Sequence, residues 1–370
     1  MATPYKFIIV GTGGMGGVWC RVSLPPNIKD GLIEPVAAVD IVPDHLTNAT
    51  TFLGLAPERC YTNMRVAFDE NEADFVIVVV PPADHESVVD IALEHGCHIL
   101  SEKPIADTMQ ASVRIAQKVA AAGKKMGVTM SHRFRRDITT LRQLIRSGEY
   151  GDLDYLVCRF TCAHRNRGEW GETPFRYDIP DSLLIEGSVH HLDLLCDMAS
   201  IGDGSLCETL YAQTWNTAWS DFTGDAQALV SMKMQNGRRI FYEGAKTNAV
   251  SLNQWGREYI RAECEKATLI MNHAQIESLP YGSGSGQRGD GEPVELIEQP
   301  KWSNAWLCEQ FVRWLDGGPA METNVQDNLQ SVALIFAAIK SVRSEQAINV
   351  QAFLAEHVGQ FKRDFKENAS

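Results

Sequence analysis

The feature that most constrains this chain lies within its first forty residues. Ile8-Ile9-Val10 is a short β-branched run, the pattern of a strand buried on both faces. It leads directly into Gly11-Thr12-Gly13-Gly14-Met15-Gly16, a G-x-G-x-x-G string with a helix expected to follow. Gly11 permits the tight turn, Gly13 lets the backbone approach a pyrophosphate, and Gly16 lets the helix pack closely on the strand. Gly14 and Met15 complete the loop. The helix N-terminus then offers free N–H groups and a partial positive charge to phosphates. A second strand, Val36–Val39, ends in Asp40, 24 positions after Gly16. A carboxylate there accepts the hydroxyl hydrogens of an adenosine ribose and repels a 2′-phosphate. Ile41-Val42-Pro43 supplies no cation to offset that repulsion, so the string favours NAD over NADP. The competing reading of Asp40 is a cap for the turn that follows.

Further strand–helix units succeed this one. Phe75–Val80 reads as a buried strand broken by Pro81-Pro82, Ser87–Glu94 as a helix, and His98–Leu100 as a strand stopping at Glu102-Lys103-Pro104. Strand alternating with helix predicts a doubly wound parallel sheet, whose ligands sit beyond the carboxyl ends of its strands. Gly11–Gly16, Asp40, Pro81-Pro82 and Glu102-Lys103-Pro104 all fall there, and His85 is placed with the same cofactor-binding set.

Composition bounds the rest. At roughly 150 residues per domain, 370 residues imply two domains. The net charge of −13 and pI near 5.3 speak against nucleic-acid or anionic-membrane partners. The nine cysteines are scattered, and Cys158 and Cys162 lack the second pair of a structural zinc site. Free thiols in a reducing cytosol are the expectation. A strand beginning by Lys6 leaves no room for a signal peptide, and no apolar run approaches the length of a membrane span. A cytoplasmic protein is therefore expected.

The glycine loop, Val80-Pro81-Pro82 and above all Glu102-Lys103-Pro104 within GCHILSEKPIA resemble the Gfo/Idh/MocA family of glucose-fructose and inositol dehydrogenase-like oxidoreductases. The resemblance implies an NAD-binding Rossmann domain in which Lys103 reaches the substrate hydroxyl and the nicotinamide ribose. It also implies that Glu102 lines the nicotinamide site and that a cis bond precedes Pro104. An ammonium beside the nicotinamide holds a substrate oxygen and lowers the pKa of its hydroxyl. A solvated surface lysine is the plainer alternative. Met130-Ser131-His132-Arg133-Phe134 is similar to a stretch that lies near the cofactor in that family, so Arg133 serves either the cofactor or a domain interface.

We place the NAD-binding domain at residues 1–130 and an α+β substrate-binding and oligomerisation domain at 131–370. Leu153–Thr161, Ala228–Gln235, Arg238–Ala245, Tyr259–Cys264 and Thr268–Met271 predict a large, mainly antiparallel open sheet. Asn236-Gly237 predicts a two-residue hairpin turn. An open sheet face points to a homodimer or homotetramer. Ser182–Ser200 predicts an amphipathic helix with Leu184, Leu192, Leu195 and Met198 inward. Glu186, His190 and Asp193 form one polar stripe on it and match a family spacing, although the family usually carries aspartate at the first position. His190 is the candidate proton shuttle, Glu186 its orienting carboxylate, and His191 a candidate substrate contact. A metal set from Glu186, His190 and His191 is disfavoured, because adjacent helical residues point about 100° apart.

Segment 164–177 carries Trp170, Arg176 and Tyr177, which suit a polyhydroxylated ring or else form a structural turn. Trp215, Trp219 and Trp255 are sugar-stacking faces or core. The glycine-rich stretch 281–293 reads as a flexible excursion. The leading expectation is hydride transfer between a sugar, glycoside or cyclitol carbon and NAD, with Lys103 and His190 handling the hydroxyl proton. One alternative is sugar C3 oxidation feeding glycoside cleavage by β-elimination, or yielding a 3-keto-glycoside. The family's glycosidases carry a Tyr-Pro-Thr-His string that is absent here. The other alternative is a non-enzymatic dinucleotide-binding regulator.

Overall fold

The computed structural model describes residues 3–169, 174–282 and 288–368, and its strands gather into two separate sheets. The first holds β1 (Tyr5–Val10), β2 (Ile33–Val39), β3 (Cys60–Tyr61), β4 (Phe75–Val78), β5 (His98–Ser101) and β6 (Met126–Val128). All pair in parallel in the order β3-β2-β1-β4-β5-β6. Phe7–Val10 and all of β4 are buried, as their unbroken apolar sequence requires in a sheet covered on both faces. Strand order reverses on either side of β1, so the crevice of this doubly wound sheet opens beyond the carboxyl ends of β1 and β4.

This unit comprises residues 1–134, 300–332 and 357–370. The break after Phe134 lies close to the expected division at 130, but the chain then returns. Helix Ser303–Leu315 sends Leu307 and Phe311 into the core of Phe7, Phe75 and Leu100, with the Phe311 and Phe75 rings 5.5 Å apart. Residues 300–332 therefore group with the parallel sheet rather than with the second unit. Their periodic apolar stripe gave a face without saying which core it completes.

The second unit, residues 135–299 and 333–356, carries the other sheet. Its strands are β7 (Leu153–Thr161), β8 (Cys207–Trp215), β9 (Gln227–Met234), β10 (Arg239–Ala245), β11 (Tyr259–Cys264), β12 (Ala267–Asn272), β13 (Gln275–Pro280), β14 (Glu292–Val294) and β15 (Ile348–Asn349). The order is β14-β13-β12-β11-β7-β10-β9-β8-β15, with β7 and β10 parallel and the other pairs antiparallel.

Two local expectations are corrected here. The hairpin between β9 and β10 has a three-residue loop, Gln235-Asn236-Gly237, not a two-residue one. Gly237 at φ 93° donates to the Met234 carbonyl at 3.0 Å, and Met234 donates to Arg238 at 3.0 Å. A type I turn closed by a left-handed glycine has that form. Segment 182–200 is not a uniform amphipathic helix. It makes wide π-type turns over Leu183–Ser188 and only then an α-helix over Val189–Ala199. Its polar stripe is as buried as its apolar one, since His190, His191 and Asp193 are all enclosed.

All nine cysteines are free. Burial pushes the thiols of Cys20, Cys162 and Cys308 up to about 12, so these three are not poised nucleophiles. No helix among the described residues is long and apolar enough to cross a membrane.

Candidate functional site

The glycine loop occupies the turn leaving β1, and its glycines are dictated by close backbone approaches. A Cβ on Gly16 would stand 2.1 Å from the Gly11 carbonyl oxygen, and one on Gly11 would stand 2.1 Å from that of Val79. Gly11 also holds φ 92°. Helix Gly14–Val18 begins on the loop, with Met15 exposed, and widens into π-type turns over Trp19–Ser23.

Asp40 turns its carboxylate onto this loop. Its Oδ2 accepts from the backbone N–H of Thr12 at 2.8 Å and of Gly13 at 3.0 Å, and its Oδ1 accepts from Val42 N–H at 2.9 Å. Burial works to raise the carboxyl, but the N–H groups of Val42, Thr12 and Gly13, with His45 alongside, bring it below the ordinary aspartate value. Asp40 thus caps the turn that follows it and at the same time braces the glycine loop. His45 is the residue that the sequence reading passed over. Its Nδ1 lies 3.3 Å from Asp40 Oδ1, and a Cβ on Gly13 would come within 2.3 Å of the same atom. It lies on a short turn and in no motif, and only its nearness to Asp40 in sequence hinted at it.

The loops after β4 and β5 bring Pro81, Pro82 and Lys103 to the same end of the sheet. His85 bridges these loops from beneath: it is fully buried, with Nε2 3.0 Å from the Val80 carbonyl oxygen and Nδ1 3.1 Å from that of Ile105. Burial lowers this imidazole below its ordinary value, against the pull of those carbonyls and of Glu102. Glu102 is similarly committed. Its Oε1 accepts from the Trp19 indole N–H at 2.8 Å and from Asn304 at 3.3 Å, and its Oε2 accepts from the Lys103 N–H at 3.2 Å. Both residues shape the loops by protein contacts. The bond between Lys103 and Pro104 is cis. Arg133 lies on the turn Ser131–Phe134 that follows β6.

In the second unit, Glu186 stands on the π-type turns and pairs with Arg176, whose Nε is 3.2 Å from Glu186 Oε2. Tyr177 stacks on Phe222 at 4.3 Å between ring centres and donates to the Asn166 carbonyl at 2.6 Å, which places it in a small core cluster. Trp170 lies outside the described residues, as do 283–287 of the glycine-rich stretch. Trp215 and Trp219 are exposed, whereas Trp255 packs against the rings of Phe160, His190 and His191.

His190 and His191 have different surroundings, although they are neighbours in sequence. His191 ends a directed chain. Ser188 donates to the Tyr242 oxygen at 3.1 Å, leaving the tyrosine proton for His191 Nδ1 at 3.3 Å. Burial holds the Tyr242 phenol well above its ordinary value, so that proton stays in place. His191 Nε2 lies 3.4 Å from Glu258 Oε1, and Glu258 Oε2 accepts from Arg135 at 2.6 Å. Arg135 also binds Asp137. Nothing in the local sequence around His191 announced Glu258 or Tyr242 as its partners.

Comparison with known proteins gives a consistent picture. The family described as an oxidoreductase family with an NAD-binding Rossmann fold, Gfo/Idh/MocA, matches residues 5–131. Uncharacterized protein y4oX of Sinorhizobium fredii is 48% identical over 357 residues, covering 95% of this chain and 98% of that one. An inositol 2-dehydrogenase of Burkholderia lata is 31% identical over 318 residues, covering 84% of this chain and 86% of the relative. Among solved structures, an inositol dehydrogenase homolog from Azotobacter vinelandii complexed with NAD+ superposes with a TM-score of 0.77 at 20% identity. That match covers 94% of this chain and 98% of the other, and it shows a shared fold.

Proposed function

Because this chain belongs to the Gfo/Idh/MocA family of NAD-binding oxidoreductases, we propose that it oxidises a secondary alcohol of a cyclitol, sugar or glycoside. Bound NAD would accept the carbinol hydrogen as hydride, and the chain's own part is to take the hydroxyl proton on a protein base. Lys103 holds the substrate oxygen, and His190 takes the proton, with Glu186, which pairs with Arg176 at 3.2 Å, orienting His190 or relaying its proton. The observation that carries this reading is the Asp40-braced glycine loop, which stands at the carboxyl end of β1, where the strand order reverses and doubly wound sheets take their ligands. The residues present fit bound NAD: the glycines exclude side chains where phosphates approach, and Asp40 stands beside that loop at the end of β2. Relatives named inositol 2-dehydrogenase make cyclitols the first substrates to try. The test is NADH formation against inositols, aldoses and glycosides, supplied with NAD and separately with NADP. A polyol that yields NADH supports the reading, and release of an aglycone without NADH would move it to the elimination chemistry.

A second copy of this chain is the proposed partner of the second unit. Tyr211, Leu229 and Phe241 stand exposed on one face of neighbouring strands β8, β9 and β10, where Tyr211 pairs with Ser231 and Ser231 with Phe241. They border a shallow depression of about 320 Å³ that also takes in Val157 and Gln213. Large apolar side chains clustered on an open sheet mark an association surface. The solution mass is expected to be a multiple of 41.0 kDa, and Phe241→Glu is expected to return it to the monomer.

A further inference from the structure

We infer that Lys246, a buried lysine of the second unit, is a positioning residue that fixes the carboxylate of Glu186 through Ser182. That role rests on the reading of Glu186 and His190 as the pair that handles the substrate proton. Lys246 follows directly on β10, and its N–H donates to the Ala226 carbonyl at 2.9 Å, which holds its backbone at the end of the sheet. Its side chain is fully enclosed. Nζ donates to the Ser182 carbonyl oxygen at 3.0 Å and to Ser182 Oγ at 2.7 Å, and it stands 5.2 Å from the centre of the Phe222 ring. Lysine is almost never fully buried unless its charge is met, because taking an ammonium out of water is costly. A methionine would fill similar space without that cost. What the lysine adds is its donors, and two of them go to one residue 64 positions away in sequence.

Ser182 is the residue on which the π-type turns Leu183–Ser188 begin. Those turns carry Glu186 and run straight into the helix that carries His190. Turns of this kind are uncommon and gather at functional sites. They are wider than α-helical ones, so ordinary helical spacing does not place a carboxylate four residues before His190, and ties from outside the segment decide where it points. Ser182 supplies such a tie. It is itself buried, and its Oγ, while accepting from Lys246, donates to the Arg176 carbonyl at 2.9 Å. Arg176 in turn sets its Nε 3.2 Å from Glu186 Oε2. One lysine therefore fastens both ends of the loop from Arg176 to Ser182, and the guanidinium at one end meets the carboxylate beyond the other. The loop is tied again at Pro180, whose carbonyl accepts from Asp225 N–H at 3.1 Å. A Cβ on Gly224 would come within 1.8 Å of that same oxygen.

The experiment follows NADH formation by the full chain over a panel of inositols, aldoses and glycosides, with NADH affinity taken by calorimetry. It compares the wild type, Lys246→Met, Ser182→Ala, Glu186→Gln and the double variant of Lys246→Met with Glu186→Gln. Lys246→Met should lower kcat at least about tenfold, as a small misplacement near the chemistry does, with KM for the polyol within about threefold and Kd for NADH within about twofold. Ser182→Ala removes only the hydroxyl between Lys246 and the Arg176 carbonyl. It should show the same split at about threefold in kcat, and it carries the test if Lys246→Met does not fold. The double variant should be no slower than Glu186→Gln, since Lys246 acts through that carboxylate. Losses that multiply in the double variant, a loss confined to KM, or an unchanged kcat in Ser182→Ala would make Lys246 a packing residue and overturn the inference. An unchanged kcat in Glu186→Gln, or no NADH from any polyol with the wild type, is a different result: it would remove the reading of Glu186 and His190, and the role of Lys246 with it.

Discussion

Two buried carboxylates, Asp40 in the first unit and Glu258 in the second, are satisfied in different ways. Asp40 in the first is satisfied by backbone N–H groups of Thr12, Gly13 and Val42, supplied by the loop it braces and the turn it begins. Glu258 in the second is satisfied mainly by side chains, Arg135 on one oxygen and His191 on the other, with the Gly256 N–H at 3.2 Å beside them. A site made from backbone depends on glycine spacing and strand order. A site made from side chains depends on which distant residues the sheet brings together. The first is therefore expected to tolerate changes of side chain away from its glycines, and the second to weaken when one charged member is removed.

The sharpest break in that contrast comes from Glu258→Gln. It leaves Arg135 buried with Asp137 as its one carboxylate partner among the described residues and weakens the support under His191, so a loss of about 3–5 kcal/mol in unfolding free energy is expected. Denaturant unfolding checks it, and a loss under about 1 kcal/mol would mean that the network is not a unit. Gly16→Ala probes the other design. Its methyl group meets the Gly11 carbonyl, and the expected cost is about 1–3 kcal/mol of stability together with loss of measurable NADH binding. Retained binding would show that the loop does not need its close approach.

Asp40→Asn gives the smallest effect and tests the electrostatics of the backbone-made site. The Asp40 carboxyl titrates lower in the folded chain than in the unfolded one, where it lies near about 3.9. Its contribution is therefore fully present above the unfolded value and is lost as pH falls through the folded value. The variant should flatten the acid limb of stability as pH falls below about 5, while changing the shape of the curve little above about pH 6. Parallel wild-type and variant curves in acid would show that the N–H groups of Thr12, Gly13 and Val42 do not favour the charged form.

Legibility followed the same division. Gly11, Gly16 and Asp40 were legible from spacing because the atoms they meet belong to the backbone of the strand–turn–helix unit. Lys103 was placed by its tripeptide at the end of a strand, and β7 and β11 by their alternation. The return of residues 300–332 to the first unit was not legible, since Leu307 and Phe311 declare an apolar face but not the Phe7–Phe75 core that receives it. The same limit hid the chain from Ser188 through Tyr242 and His191 to Glu258, whose members come from strands and loops far apart in sequence. The π-type turns over Leu183–Ser188 escaped because an apolar period of ordinary helical spacing runs through them. His45 escaped because no motif marks it, and only the folded turn sets its ring beside Gly13.

The central claim is hydride transfer to NAD from a carbon whose hydroxyl is held by Lys103. Its most direct measurement is deuterium transfer from the carbinol carbon of a deuterated cyclitol or sugar to nicotinamide C4, followed by NMR for the wild type and Lys103→Met. Deuterium should appear in the wild-type NADH, and Lys103→Met should transfer it at least about 100-fold more slowly while its NADH affinity stays within about threefold. Transfer at the wild-type rate by Lys103→Met, or NADH formed without the label, would contradict the account.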